Sequence, residues 1–282
     1  MDGSYRDALA LQHTAFTRSN REAVDDVQHK LWADLEKIRL EYERLIYTEL
    51  RVLRQKGVSV SATPVVSRPD AVAFDYARFA ERFRGSEDYV RERQKFYLPM
   101  FAQLTSVLDI GCGRGEFLEL MRDAGVRARG IDLDEDSVQL CLRKGLDAGN
   151  ADLFVYLAAL PNATFDGIFS SQVVEHISPD RLPEMVRLCA LKLREGGILV
   201  LETPNPECLA IFATHFYLDP THTRPIPSGL LAFYMEESGL GRVEVHRLSP
   251  AAESMPSLAE LPEAFRNAFF GGLDYGIVGH KL

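Results

Sequence analysis

The chain has 282 residues, 46% hydrophobic and 26% charged, with a formal net charge of −9 at pH 7. That length holds one large catalytic domain with an appendage, or two modest domains, and buries enough apolar surface to fold without staples. The acidic balance excludes a broad nucleic-acid surface, which calls for clustered Lys and Arg, so no nucleic-acid partner is expected. The four cysteines, Cys112, Cys141, Cys189 and Cys208, show no paired ligand spacing and suit a reducing compartment. No window supplies the roughly 18 apolar residues of a membrane span, and the opening MDGSYRDALALQH lacks a basic stretch followed by an apolar run. The expectation is a cytoplasmic protein with no integral membrane segment.

In chain order, the stretch from Asn20 to Gln55 has no Gly or Pro, and Val24, Leu31, Ile38, Leu45 and Val52 recur every seven residues. This period predicts one long helix with a single apolar seam. Asp34 and Glu41 interrupt the second position of the heptad, so the seam suits packing on the chain's own domain or on a second copy better than a free zipper. Gly57 to Asp70, rich in Ser, Val and Pro, reads as a linker. The predicted division is a helical extension with linker at 1–70 and a catalytic domain at 71–282.

Two short helical patterns fill Phe74 to Met100, the second starting at Ser86. From Leu104 onward short apolar runs alternate with helical patterns. Strands are predicted at Ser106–Ile110, Ala128–Asp132, Phe165–Ser170, Gly197–Glu202, Arg242–Arg247 and Tyr275–His280, with a further short one before Asn150. Helices are predicted at Gly115–Ala124, Glu135–Lys144 and Asp180–Arg194. The alternation predicts an α/β, doubly wound, mostly parallel sheet closed by an antiparallel C-terminal pair.

The most informative segment joins the first of these strands to its helix: Asp109-Ile-Gly111-Cys112-Gly113-Arg-Gly115. Glycines in such a turn let the backbone approach a ligand closely. A second strand ends on Asp132, where an acid can accept both hydroxyls of a ribose, and Asp152-Leu153 follows the third. A dinucleotide fingerprint would place its last glycine three positions after the second; here Gly115 follows Gly113 by two, and Glu116 would sit against a pyrophosphate. Asp132 and Asp152 each have a competing reading as a helix N-cap. Cys112 reads as a small residue in a tight turn rather than a nucleophile.

With these motifs the segment from about Leu104 to Leu282 resembles the class I S-adenosylmethionine-dependent methyltransferases, whose fold is Rossmann-like. The resemblance implies S-adenosylmethionine as cofactor and S-adenosylhomocysteine as product. It implies that Asp109 and the loop Gly111, Cys112, Gly113 and Gly115 hold the methionine part. Asp132 would then bind the ribose, and Leu133, Asp152 and Leu153 would lie at the adenine.

Gln172, expected among the cofactor-binding residues, and Glu175 and His176 on the acceptor side follow the strand at 165–170, and related methyltransferases carry a Glu-His pair there. A second cluster gathers His215, Tyr217, Asp219, His222 and Arg224 among prolines past the next strand, where functional loops concentrate. The stretches Asp219–Pro225 and Arg84–Pro99 are similar to bacterial surface-polysaccharide methyltransferases of the O-antigen type. That implies methyl transfer to an oxygen of a glycan or glycolipid precursor, a small non-sugar metabolite being the runner-up and a non-catalytic scaffold the alternative from another class. His222 or His176 is the expected base, neutral imidazole being suited to that task near pH 7. Asp219 and His215 stand beside them, and Glu175, Tyr217 and Arg224 face the acceptor. Three ligands for a metal are available in His215, Asp219 and His222, but magnesium prefers oxygen donors, and no metal is expected. Arg91, Arg93, Gln94 and Tyr97 are lid candidates.

Overall fold

A computed structural model describes residues 85–212 and 216–282. The predicted long helix, the linker and the first of the two short helical patterns lie outside the described residues, as does His215. The described chain opens with α1 (Glu87–Gln94), capped by Ser86 accepting from the backbone of Tyr89, then a 3-10 turn and α2 (Leu98–Phe101). There follow β1 (Val107–Ile110), α3 (Glu116–Asp123), β2 (Ala128–Asp132), α4 (Glu135–Arg143), β3 (Ala148–Asn150), α5 (Leu153–Ala159) and β4 (Phe165–Ser171). The remainder is α6 (Leu182–Lys192), β5 (Leu193–Pro204), α7 (Ser228–Glu237), β6 (Leu240–Pro250), α8 (Ala251–Ser254), α9 (Glu263–Phe269) and β7 (Gly272–Lys281).

The seven strands form one sheet in the order β3-β2-β1-β4-β5-β7-β6. β1 pairs in parallel with both β2 and β4, whereas β7 runs antiparallel to β5 and β6. The chain therefore builds outward from β1 to β3, returns, and builds the other way from β4. In open parallel sheets ligands sit at the carboxyl ends of the strands at such a reversal, which here lies between β1 and β4.

Both faces of the sheet are covered, as the near-continuous apolar strands require. Successive side chains alternate faces. Leu108, Ile110, Leu199 and Leu201 join one core cluster with Leu182, Met185 and Met235 of the helices, while Val107, Phe169 and Val200 join another with Tyr97, Phe101 and Phe117. Phe117 of α3 stacks on Phe169 of β4 with ring centroids 3.9 Å apart, which fixes the helix that begins directly after the glycine turn. Within the described residues the predicted strands and helices occur, most with longer or shorter ends. Two features have no sequence forecast: α7, and the α8–α9 excursion between β6 and β7. Among the described residues no helix is long and apolar enough to cross a membrane.

Candidate active site

The turn after β1 takes its shape from its glycines. Gly111, Gly113 and Gly115 have φ of 71°, 52° and 87°, a region that costs an L-residue roughly 1–2 kcal/mol. At Gly111 sterics add to this, because a Cβ there would stand 2.3 Å from Cγ2 of Val173. Gly113 is the opposite case: a Cβ would meet nothing within 4 Å, so its backbone faces open space where a ligand can approach. The turn brings the β1 end into contact with the segment after β4, the two halves of the crevice.

Asp132 at the end of β2 accepts a hydrogen bond from Gly113 N (2.8 Å) and another from Asp134 N (2.9 Å). The competing reading of Asp132 as cap of the next helix is not realised: Asp134 caps α4 by accepting from Ser137 N at 3.0 Å and Ser137 Oγ at 2.6 Å. Leu133 stands 73% exposed beside it, an apolar surface with no protein partner over most of its area. Asp152 does cap a helix, its Oδ1 accepting from Phe154 N (2.9 Å) and Val155 N (3.0 Å) at the start of α5. Leu153 packs in the core cluster beneath the start of α5. Asp109 is buried within β1. Burial first, then the neighbouring Cys141, Asp132 and Glu116, push its carboxyl well above the usual range. Cys112 is buried against Cys141, and that contact together with burial pushes its thiol up, which suits a turn residue and not a nucleophile. The crevice thus offers an open glycine backbone, a carboxylate at the second strand end and an exposed aliphatic face. S-adenosylmethionine needs those features for its methionine, ribose and adenine parts respectively, so the residues present fit it.

Gln172 leaves β4 with a φ of 58°, a strained value for a non-glycine. It is held at both ends, its N–H donating to Glu202 O at 2.8 Å and its Nε2 to Asp274 Oδ1 at 3.1 Å. Asp274 also receives Arg93, and Tyr97 donates to the buried Glu202 at 2.6 Å. Two of the lid candidates therefore meet the crevice through carboxylates of β5 and β7 that sequence spacing did not disclose. Arg91 pairs with Asp123 on α3, and Gln94 is buried.

Among the described residues, those expected on the acceptor side converge. Glu175 is fully buried, and its Oε2 accepts from Thr203 Oγ1 at 2.9 Å. His176 Nδ1 lies 2.8 Å from Thr221 Oγ1, which in turn donates to Asp219 Oδ1 at 2.6 Å. His222 Nδ1 lies 2.6 Å from Phe216 O, and its Nε2 lies 4.0 Å from Glu175 Oε1 and 3.9 Å from Asp219 Oδ2. The two imidazoles meet edge to face with centroids 4.6 Å apart. Thr223 fastens the second loop to the first, its N–H donating to Glu175 O at 2.8 Å. Burial alone would raise the Asp219 carboxyl, but the bonds from Thr221 and the nearby His176 and His222 outweigh it and hold it below its ordinary value. Tyr217 stands 69% exposed at the edge of this loop. Arg224 is half-buried, and among the described residues its buried Nε has no hydrogen-bond partner. Of the trio foreseen for a metal, His222 lies in a group that could hold one, but its companions there are Glu175 and His176.

A family model described as a methyltransferase domain matches residues 76–245. A crystal structure of a SAM-dependent methyltransferase from Archaeoglobus fulgidus is 35% identical; the match covers 73% of this chain and 100% of that one, with a TM-score of 0.68. A probable S-adenosylmethionine-dependent methyltransferase of Mycolicibacterium smegmatis is 32% identical over 138 residues, 47% of this chain and 51% of that protein. A ubiquinone biosynthesis O-methyltransferase of Bordetella pertussis is 36% identical over 104 residues, 35% of this chain and 42% of that protein. The chain thus spans about half the length, or less, of these two curated relatives. With the doubly wound sheet, the glycine turn and these likenesses together, the chain belongs to the S-adenosylmethionine-dependent methyltransferase family.

Proposed function

We propose that the protein transfers a methyl group to an oxygen of a glycan or glycolipid precursor. One observation carries the methyl-transfer part of the reading: the glycine turn abuts the segment that holds Glu175 and His176, Gly111 packing against Val173 two residues before Glu175. When bound, S-adenosylmethionine supplies a sulfonium methyl whose carbon–sulfur bond breaks with the electron pair remaining on sulfur. Asp109 and the open backbone of Gly111–Gly115 would hold its methionine part, Asp132 its ribose, and Leu133 and Asp152 its adenine. Gln172 would stand between the cofactor and acceptor halves. The chain's own contribution to the chemistry is alignment, which alone lowers a displacement barrier by several kcal/mol, together with relief of the acceptor proton.

The group placed to relieve that proton is the pair His222 and His176, with Asp219 and Glu175 beside them. Arg224 would orient an anionic substituent of the acceptor through its guanidinium, and Tyr217 would form the rim. The glycan assignment draws on the likeness of the Asp219–Pro225 stretch to surface-polysaccharide methyltransferases. Relatives named as ubiquinone biosynthesis O-methyltransferases favour a second reading, a small aromatic metabolite.

Replacing His222 with Ala tests the acceptor side. Turnover should fall at least about a hundredfold, the usual scale for losing a general base, while calorimetry shows S-adenosylhomocysteine binding unchanged. An unaltered rate would remove His222 from the chemistry. Initial rates on lipid-linked glycans, nucleotide sugars and catechol-like phenols would separate the two acceptor readings.

A further inference from the structure

We propose that Glu175, His176 and His222 form a divalent-metal site of the zinc class, to which the acceptor oxygen adds as a fourth ligand. This reverses the sequence-based expectation that no metal is present, and it rests on the methyl-transfer reading only for the identity of the fourth ligand.

The argument starts from convergence. One ligand atom from each of the three residues lies within 4.8 Å of the other two. A tetrahedral zinc with bonds of about 2.0–2.1 Å spaces its ligand atoms by roughly 3.4 Å, so side-chain movements of about an ångström would close the set. Two histidines and a glutamate with an open fourth position are a known donor set for catalytic zinc. The residues come from two different connections, Glu175 and His176 after β4 and His222 after β5, stitched together by Thr223 donating from N and Oγ1 to Glu175 O, both at 2.8 Å.

The second observation is how each side chain is held from behind. Metal-binding imidazoles and carboxylates engage their outer atoms in hydrogen bonds that fix tautomer and orientation. Here Thr203 holds Oε2 of Glu175 at 2.9 Å, Thr221 holds Nδ1 of His176 at 2.8 Å, and the carbonyl of Phe216 holds Nδ1 of His222 at 2.6 Å. All three anchors act on one polar atom of the side chain and fix its orientation, and Glu175 Oε1 lies 4.0 Å from His222 Nε2. Asp219 supports the arrangement from a further layer, fixing Thr221 through bonds to its N at 2.9 Å and Oγ1 at 2.6 Å.

The site assigns a chemistry. An alcohol held by a zinc-class ion loses its proton to bulk water more readily than a free one, as metal-bound water does. With the ion bound, His176 and His222 would be ligands in place of the proposed base role, and the acceptor proton would leave from the coordinated hydroxyl. Magnesium is disfavoured because two of the three donors are imidazoles.

The test uses the full chain stripped with chelator and titrated with Co²⁺, whose visible absorption reports coordination by nitrogen and carboxylate. One equivalent should bind and give a d–d band that Zn²⁺ abolishes. His176→Ala and His222→Ala should each remove the band, and Thr221→Val should weaken Co²⁺ binding about tenfold. His246→Ala, which alters a histidine on β6 outside the cluster, should leave it intact. Calorimetry with S-adenosylhomocysteine on the same preparations reports folding of each variant. A wild-type chain that binds S-adenosylhomocysteine but gives no band, or a band that survives both histidine variants, overturns the metal site alone. Failure of the wild-type chain to bind S-adenosylhomocysteine overturns the methyl-transfer reading, whatever the cobalt result.

Discussion

Asp132→Ala has the most to say about the cofactor crevice. An ionised carboxylate has about four lone-pair positions. Two of them are filled by the backbone N–H groups of Gly113 (2.8 Å) and Asp134 (2.9 Å), which leaves two for the vicinal hydroxyls of a ribose. Hydrogen bonds to a charged acceptor contribute about 1.5–3 kcal/mol each. Because the side chain is only partly buried, the lower end applies, and two lost ribose bonds amount to about 3 kcal/mol. At about 1.4 kcal/mol per decade, the Kd for S-adenosylhomocysteine should rise roughly a hundredfold. The substitution also releases Gly113 N, so the turn loses its tie to β2. Asp132→Asn, which keeps one acceptor oxygen, should fall between the two. Calorimetric titration gives all three constants directly. If Asp132→Ala binds within threefold of the unaltered chain, the carboxylate is a loop anchor only and the ribose assignment is wrong.

Other outcomes follow from the same crevice. Gly113→Ala has space but the wrong backbone region, and should lower Tm by a few degrees, for a cost of about 1–2 kcal/mol. Gly111→Ala adds the overlap with Val173 and should lose clearly more stability; equal shifts on thermal melting would refute the steric argument. Burial keeps the Asp109 carboxyl protonated above its ordinary range, and a ligand ammonium beside it favours the charged form. S-adenosylhomocysteine binding should therefore release a proton and tighten as pH rises through the raised value. Calorimetry in two buffers of different ionisation enthalpy detects that proton, and identical heats with pH-independent affinity would exclude it.

How much of this was visible in the sequence depends on whether a feature is local. The glycine turn, Asp132 and the Glu175–His176 pair were legible as positions because each stands at or just after a strand end, at short spacings that sequence alone displays. Asp152 was ambiguous for a physical reason: an acid just before a helix serves as cap whether or not a ligand is near, and its Oδ1 caps α5. The Asp274–Gln172–Arg93 network was not legible, since Gln172 and Asp274 lie 102 residues apart and Arg93 and Asp274 lie 181 apart; only the sheet order unites them. The proposed ligand group shows the same limit: the sequence offered His215, Asp219 and His222 within one segment, whereas among the described residues the group that could hold an ion joins His222 to Glu175 and His176 of the neighbouring connection. Helix α7 escaped notice because SGLLAFYMEE opens on a Ser-Gly pair and its apolar residues run together without helical spacing, so no amphipathic stripe marks it.

The position of β7 has a consequence for biosynthesis. It is made after β6 yet lies between β6 and β5. On the ribosome the five strands β1 to β5 can associate as they emerge, but β6 then has no edge to join until Gly272–Lys281 has left the exit tunnel. Until that moment Arg93 also lacks its Asp274 partner. The half-sheet would await a late insertion, and a nascent chain stalled before residue 272 would expose the β5 edge to intermolecular strand pairing.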